Sequence, residues 1–273
     1  MRILVTGYKG FIGQNLVNHL IKKGHTVEGY DFIQSVLPDP SDFDTVIHLG
    51  AISSTTETDV EKILDQNYEF SMRMLTMCDH KGVNFQYSSS ASVYGPGNDF
   101  SENAKCLPKS PYAWSKYLFD RFVTLAGPKN FNCLVQGFRY FNVYGDFEEH
   151  KGDQASPVSK FSKQAKENKE ITLFENSDQY KRDFIWVGDV CDVHEKFLTI
   201  DQSGIFNVGT GTTTSFQEVG ELVAEKYGAK IKYIPMPTNL KGQYQEYTCA
   251  DLTQLNKFVN INYKTVKEYL QNG

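Results

Sequence analysis

Five β-favouring residues, RILVT from Arg2 to Thr6, run straight into GYKGFIGQNLVNHLIKKG. Within that stretch Phe11, Ile12, Leu16, Leu20 and Ile21 recur on one helical face, until Gly24 stops the pattern. A short apolar strand, a glycine-rich turn and an amphipathic helix in this order constrain the fold more than any other feature. The next strand, HTVEGYD, ends at Asp31. The alternation then continues. TVIHLGA from Thr45 reads as a third strand, residues 59–80 as a helix and VNFQYSSS as a strand. SPYAWSKYLFDRFVTLAG reads as a helix with Ser110 as cap and Pro111 in its first turn, followed by strand-like NCLVQGFRYFNVYG. Strand alternating with helix at this spacing predicts an α/β fold: a Rossmann-type, doubly wound parallel sheet with helices on both faces.

Between Asp31 and Thr45 stand only FIQSVLPDPSDFD, with two prolines. That stretch is too short to supply the usual helix and strand, so the sheet edge is expected to be shortened after the second strand. Past residue 150 the pattern becomes a smaller C-terminal lobe. It has helices at VSKFSKQAKENK, SFQEVGELVAEKYG and TVKEYLQNG, and short strands at ITLF, DFIWVGDV, IFNVGTG and KIKYIP. The expected division is 1–149 plus 183–212 for a nucleotide-binding domain, and 150–182 plus 213–273 for a substrate-binding lobe.

The glycines explain what the first turn is for. Gly7, Gly10 and Gly13 let the backbone turn tightly and approach a pyrophosphate, while the helix start offers N–H groups and the positive end of its dipole. Asp31 closes the second strand about 20 residues on, where an acid takes ribose hydroxyls. The expected cofactor is NAD(P). Asp31 favours NAD because it repels a 2′-phosphate, whereas Lys9 inside the loop would attract one, so NADP stays open.

Other function classes fall away on composition. A net charge of −5 supplies no basic stripe for nucleic acid or an anionic membrane. The five cysteines are scattered without CxxC spacing and the six histidines lack ligand spacing, so neither a disulfide frame nor a metal site is expected. MRILVTG enters a strand at once and no apolar run reaches membrane length, which leads to the expectation of a soluble, cytoplasmic protein.

The chemistry concentrates in YAWSK. Tyr112 and Lys116, at i and i+4, share one helix face, and an ammonium beside a phenol favours the phenolate as a base. The strand before them ends in Ser88, Ser89 and Ser90, where such sheets place ligands.

TGYKGFIG, SSSASVYG, YAWSK, RYFNVYG and RDFIWVGDV occur in the order found in the extended short-chain dehydrogenase/reductases, and the chain resembles that family over nearly its whole length. The resemblance implies Ser90, Tyr112 and Lys116 as the catalytic trio. It places Gly7, Lys9, Gly10, Phe11, Ile12 and Gly13 at the cofactor, together with Asp31, Leu49, Gly50, Ala51, Asn67, Lys116 and Val143. Asn142 and Arg182 are implied as contacts to a nucleotide-diphosphate sugar. Arg182 suits that role because a guanidinium grips a diphosphate bidentately; its structural alternative is an ion pair with Asp183.

Within the family, AISSTTETD, EEHKG after GFRYFNVYG, LFENS, SGIFNVGTG and NLKGQYQEYTCADL resemble the ADP-glyceromanno-heptose 6-epimerases. Those enzymes invert C6 of the heptose through a transient 6-keto sugar. The resemblance gives Lys151 the role of a second acid/base facing Tyr112, and places Ser90, Phe174, Glu175, Asn176, Ser177, Arg182 and Tyr244 at the substrate. Asp153 and Lys160 are also assigned there, although Asp153 stands where the branch has a serine and Lys160 where it has a histidine. A hexose 4-epimerase with the same trio is the nearest alternative. A 4,6-dehydratase is disfavoured because Ala91 and Ser92 stand where Asp-Glu is usual. A non-catalytic nucleotide sensor would have no use for the trio. A homo-oligomer is expected.

Overall fold

The computed structural model describes residues 1–32, 36–54, 56–237 and 245–272. Its first half alternates β1 (Arg2–Thr6), α1 (Phe11–Lys22), β2 (Thr26–Tyr30) and β3 (Thr45–His48) with α2 (Val60–Ile63), α3 (Phe70–Lys81), β4 (Asn84–Ser90), α4 (Pro111–Ala126) and β5 (Val135–Tyr140). The second half contains β6 (Asn142–Tyr144), α5 (Pro157–Asn168), β7 (Glu170–Phe174), β8 (Lys181–Arg182), β9 (Phe184–Trp186), α6 (Val187–Phe197) and β10 (Gly204–Val208). It closes with β11 (Thr214–Ser215), α7 (Phe216–Tyr227), β12 (Lys230–Ile234), β13 (Tyr247–Thr248) and α8 (Val266–Asn272).

Six strands form one parallel sheet in the order β10-β5-β4-β3-β1-β2. Period-two alternation along β1 decides what covers each face. Leu4 joins Val46, Phe85 and Val135 under Phe70, Met74, Phe119 and Val123 of α3 and α4. Ile3 and Val5 join Ile47 under Leu16 and Leu20 of α1 and Cys191 of α6. Strand order reverses between β1 and β3, and the crevice at their C-terminal ends is where such sheets bind ligands.

The shortened edge is present. Among the described residues no strand or α-helix intervenes between β2 and β3, only a 3-10 turn at Pro40–Asp42, so β2 is the sheet edge. Two readings of the sequence need correction. NCLVQGFRYFNVYG is not one strand: β5 ends at Tyr140, the Phe141 N–H still bonds Val208 O, and Asn142 then turns to bond Asp183 O and pair with β9. DFIWVGDV is a strand only to Trp186, and the next residue starts α6. Its β-branched valines mimic a strand, but Val187, Val190, Val193 and Phe197 recur at helical spacing and all are buried.

Beyond the large sheet, β7 pairs with β12, and β8 lies between β11 and β13. Helices α5, α7 and α8 bury Val158, Phe161, Val219, Val223, Val266 and Leu270 against Ile171 and Leu173 of β7. α7 starts with a reciprocal capping box between Ser215 and Glu218 and ends at left-handed Gly228. Residues 250–261 pack with Phe206 and Val208 of β10. Among the described residues, no helix is long and apolar enough to cross a membrane.

Candidate active site

The turn after β1 is built around what glycine lacks. Gly7 has φ +70°, and a Cβ there would lie 2.7 Å from the Gly50 Cα. A Cβ on Gly13 would lie 2.2 Å from Gly7 O and 2.7 Å from the Tyr8 Cα. The absent side chains let the start of α1 press onto the loop and the loop onto the end of β3. Gly10 caps α1 without a side-chain acceptor, so no side chain occupies the first-turn N–H groups of Phe11 and Ile12. This cradle fits a dinucleotide pyrophosphate. Asp31 follows the end of β2, its Oδ1 accepting the Phe32 N–H at 2.9 Å. Lys9 is exposed, with its ammonium 5.5 Å from the Tyr8 ring centre.

The other wall of the crevice is Leu49, Gly50 and Ala51, held by a single-file polar chain. The Gly50 N–H donates to Thr6 Oγ1 at 3.2 Å, and Thr6 Oγ1 meets His48 Nδ1 at 2.6 Å. His48 Nε2 meets Ser71 Oγ at 2.9 Å, and the Ser71 hydroxyl donates to Asn67 O at 2.5 Å. Because the only Ser71 proton goes to Asn67 O, His48 must donate from Nε2 and accept from Thr6 at Nδ1. Burial, with the Lys116 charge nearby, lowers the His48 pKa to about 3 and keeps it neutral. Asn67 lies in a π-helical turn, Leu64–Glu69, inside the continuous helix from Val60 to Lys81. Its side chain accepts from the Ile52 N–H at 2.7 Å and donates to Ile52 O and Ser115 Oγ at 3.0 Å each. Ser115 Oγ in turn donates to Tyr112 O at 2.8 Å. One network thus joins the crevice wall to the helix that carries Tyr112.

Ser90, Tyr112 and Lys116 come together at the C-terminal end of β4. Ser90 interacts with the Tyr112 phenol and draws its pKa down, yet burial dominates and the phenol titrates above its ordinary value. This corrects the expectation that Lys116 sets the phenol. The Lys116 ammonium instead donates to Ser88 O at 2.8 Å and Ser88 Oγ at 3.3 Å, so it braces the strand end. Lys116 is 6% exposed, and burial lowers its pKa to about 8 while Asp120 opposes the shift. Beneath it Asp120 accepts from Tyr87 OH, Ser89 Oγ and Arg139 Nε at 3.0, 2.9 and 2.8 Å.

The second half of the chain brings further residues to this end of the sheet. Asn142 donates from Nδ2 to Asp183 O at 3.3 Å, and Val143 packs against the cluster around Phe138. Arg182 donates to Lys181 O and Gln245 O, with its guanidinium 5.5 Å from the Phe216 ring centre. Asp183 uses its carboxylate on Thr210 N and Oγ1, Gly211 N and Ala250 N. Phe174 closes β7 and Glu175–Ser177 lie in the turn after it, with Asn176 at φ +61° and a buried Ser177 hydroxyl that has no partner among the described residues. Tyr244 lies outside the described residues.

Lys151 sits in a loop laid across the start of α1, its ammonium 5.1 Å from the Phe11 ring centre. Burial lowers its pKa while Glu148 raises it. Asp153 and Lys160 are both exposed and line a groove of about 990 Å³ with Lys163, Tyr227 and Tyr269. Ser90, Tyr112 and Lys116 are not among its walls. Sequence reasoning missed Thr6, His48, Ser71, Ser115, Asp120 and Arg139. A histidine closing an otherwise apolar strand and an acid one turn beyond Lys116 were the available signals.

A model of the NAD dependent epimerase/dehydratase family matches residues 3–209. The chain is similar to Helicobacter pylori ADP-L-glycero-D-manno-heptose-6-epimerase, at 26% identity and TM-score 0.86 over 99% of this chain and 94% of that one. It is also similar to Thermus thermophilus UDP-glucose 4-epimerase in complex with NAD, at 26% identity and TM-score 0.81 over 99% and 98% of the two chains. A third similar structure is MoeE5 in complex with UDP-glucuronic acid and NAD, at 26% identity and TM-score 0.82 over 99% and 97%. With a family model matching residues 3–209, this chain belongs to the NAD dependent epimerase/dehydratase family.

Proposed function

We propose that the protein is an NAD(P)-dependent nucleotide-sugar epimerase that inverts C6 of ADP-glycero-manno-heptose through a transient 6-keto sugar. The observation that carries this reading is the meeting of Ser90, Tyr112 and Lys116 beside the glycine cradle. Gly7, Gly10, Gly13 and the first turn of α1 hold the cofactor pyrophosphate, with Asp31 at the ribose, which favours NAD over NADP. When bound, the nicotinamide supplies a reversible hydride acceptor. Tyr112 takes the proton of the sugar hydroxyl and Ser90 hydrogen-bonds the oxygen as it becomes a carbonyl. Lys116 holds the strand end that carries Ser90, through its bonds to Ser88.

Inversion requires the ketone to present its other face, and one phenol does not serve both. Lys151 is the second acid/base in this reading, since a half-buried ammonium of lowered pKa gives up its proton nearer neutrality. Asn142, Phe174–Ser177, Arg182, Asp153, Lys160 and Tyr244 belong to the nucleotide-sugar lobe, and the division into two lobes is part of the proposal. The likeness to a UDP-glucose 4-epimerase favours a second reading, a hexose 4-epimerase.

A panel of ADP-heptose and UDP-, GDP- and dTDP-hexoses, followed at each stereocentre by NMR, separates the two. Inversion at hexose C4 alone would sink the 6-epimerase reading. Tyr112→Phe and Lys151→Ala should each cut turnover at least ~100-fold with cofactor still bound. Near-normal turnover in either removes that residue from its role. A homo-oligomer is also proposed, because Trp114, Leu118 and Leu125 expose apolar surface along α4. Light scattering that finds a monomer would remove it.

A further inference from the structure

Lys151 stands on a loop whose shape is set from one buried point. Glu148 is 1% exposed, and its carboxylate reaches both ends of the loop. Oε1 accepts from the Gly145 N–H at 3.0 Å and from Ser156 Oγ at 2.8 Å, while Oε2 accepts from the Ser156 N–H at 2.6 Å. The Glu148 carbonyl accepts the Lys151 N–H at 2.9 Å. Ser156 is also the cap of α5, accepting from the Ser159 N–H at 3.2 Å, so the far end of the loop is anchored in a helix. The near end is anchored at Gly145, where a Cβ would lie 2.6 Å from Val187 Cγ1.

Two further bonds lay the loop over the cofactor cradle. Asn15 of α1 donates to both Phe11 O and Asp146 O, at 2.9 and 2.8 Å. Gln154 donates to Thr56 Oγ1 at 3.2 Å, across to the segment after β3. Between these anchors Gly152 adopts φ 51°, ψ −122°, and Lys151 ends against Phe11. The loop and α5 also carry Glu149, Asp153 and Lys160, while Phe11 is the α1 side chain that the ammonium faces.

A buried carboxylate satisfied by three donors is more than a loop of this length needs to close. Neutral acceptors could make the same turn without burying a charge.

We propose that Glu148 is the positioning residue of Lys151, its buried carboxylate fixing the loop that carries the ammonium over the cofactor cradle and placing a negative charge within that loop. The proposal rests on the reading of Lys151 as the second acid/base. A carboxylate does both jobs. Glutamine would turn an amide donor toward either Gly145 N–H or Ser156 N–H and would remove the charge.

The test is a double-mutant cycle on the holoenzyme. Glu148→Gln should lower kcat at least about tenfold, with KM for the nucleotide sugar changing far less. In a Lys151→Ala background the same substitution should cost less than about twofold, because its effect passes through Lys151. An equal cost in both backgrounds would overturn the proposal and leave Glu148 a holder of the loop alone.

Acylation of Lys151 by acetic anhydride at pH 8, read by peptide mass spectrometry, tests the placement without activity. The rate should rise about threefold or more in Glu148→Gln. An unchanged rate overturns the proposal whatever Lys151→Ala does to turnover. Near-normal turnover in Lys151→Ala with faster acylation instead refutes the acid/base reading and keeps the positioning claim. Should Glu148→Gln fail to fold, Ser156→Ala removes one clamp bond and keeps the charge. It should acylate faster than the wild type, and a wild-type rate overturns the proposal.

Discussion

Replacing Gly13 by alanine adds one methyl group where the structure leaves no room. The new Cβ would stand 2.2 Å from Gly7 O and 2.7 Å from the Tyr8 Cα, both backbone atoms. Ordinary carbon contacts lie at about 3.5 Å, so the loop and α1 have to separate by about 1 Å. Overpacking of this kind costs about 1–3 kcal/mol, while alanine in a helix returns up to about 1 kcal/mol. The net loss of apo stability is therefore about 0–3 kcal/mol. The cofactor feels more, because its pyrophosphate depends on the loop and the first turn of α1 keeping their spacing. Losing one or two hydrogen bonds to a charged group costs about 1.5–3 kcal/mol, roughly a 10- to 100-fold weaker Kd. Titration calorimetry with NAD measures the affinity, and a parallel melt measures the stability. Gly10→Ala is the graded control: its Cβ would lie 3.2 Å from Gly7 O with φ at −72°, so it should weaken binding less. Equal affinity in wild type and Gly13→Ala would refute the cradle.

Other outcomes follow from the buried charges. Asp120→Asn leaves the Arg139 guanidinium, 5% exposed, without its carboxylate, and should lower stability in urea by about 3–5 kcal/mol; a loss under about 1 kcal/mol would contradict the pairing. His48 and His194 both titrate at about 3 because burial disfavours their charged forms. Between that value and the ordinary 6.5 the unfolded chain binds more protons than the folded one. Their stabilisation is thus complete above pH 6.5 and is lost as pH falls toward 3. Urea midpoints measured across that range should fall steadily with acid, and a flat profile would contradict buried neutral histidines.

Much of the fold was legible because single segments carried it. RILVT, the glycine turn and the i, i+3, i+4 spacing from Phe11 to Ile21 describe β1 and α1 without tertiary help. The short stretch after Asp31 announced the missing strand, because chain length alone forbids it. What stayed hidden depends on partners distant in sequence. Phe141 breaks a continuous β-type run because Val208 and Asp183 compete for its neighbours. Valines 187, 190 and 193 look strand-like locally, and only packing against the sheet makes them a helix face. At the site, Tyr112, Lys116 and Ser90 could be named from spacing and resemblance. That Lys116 spends its ammonium on Ser88 could not be read, since it depends on how α4 leans on β4. Asp153 shares a short turn with Lys151, yet lies in the groove beside α5.

The central claim is that one carbon of a nucleotide sugar is inverted by removing and returning the same hydride. A substrate carrying deuterium at the inverting carbon, converted in ordinary water, reads this directly. The account predicts that the epimer keeps its label and that the unlabelled sugar run in D2O gains none at that carbon. Loss of the label to solvent, with D2O uptake in the reciprocal experiment, would contradict hydride return and point to proton abstraction from carbon instead.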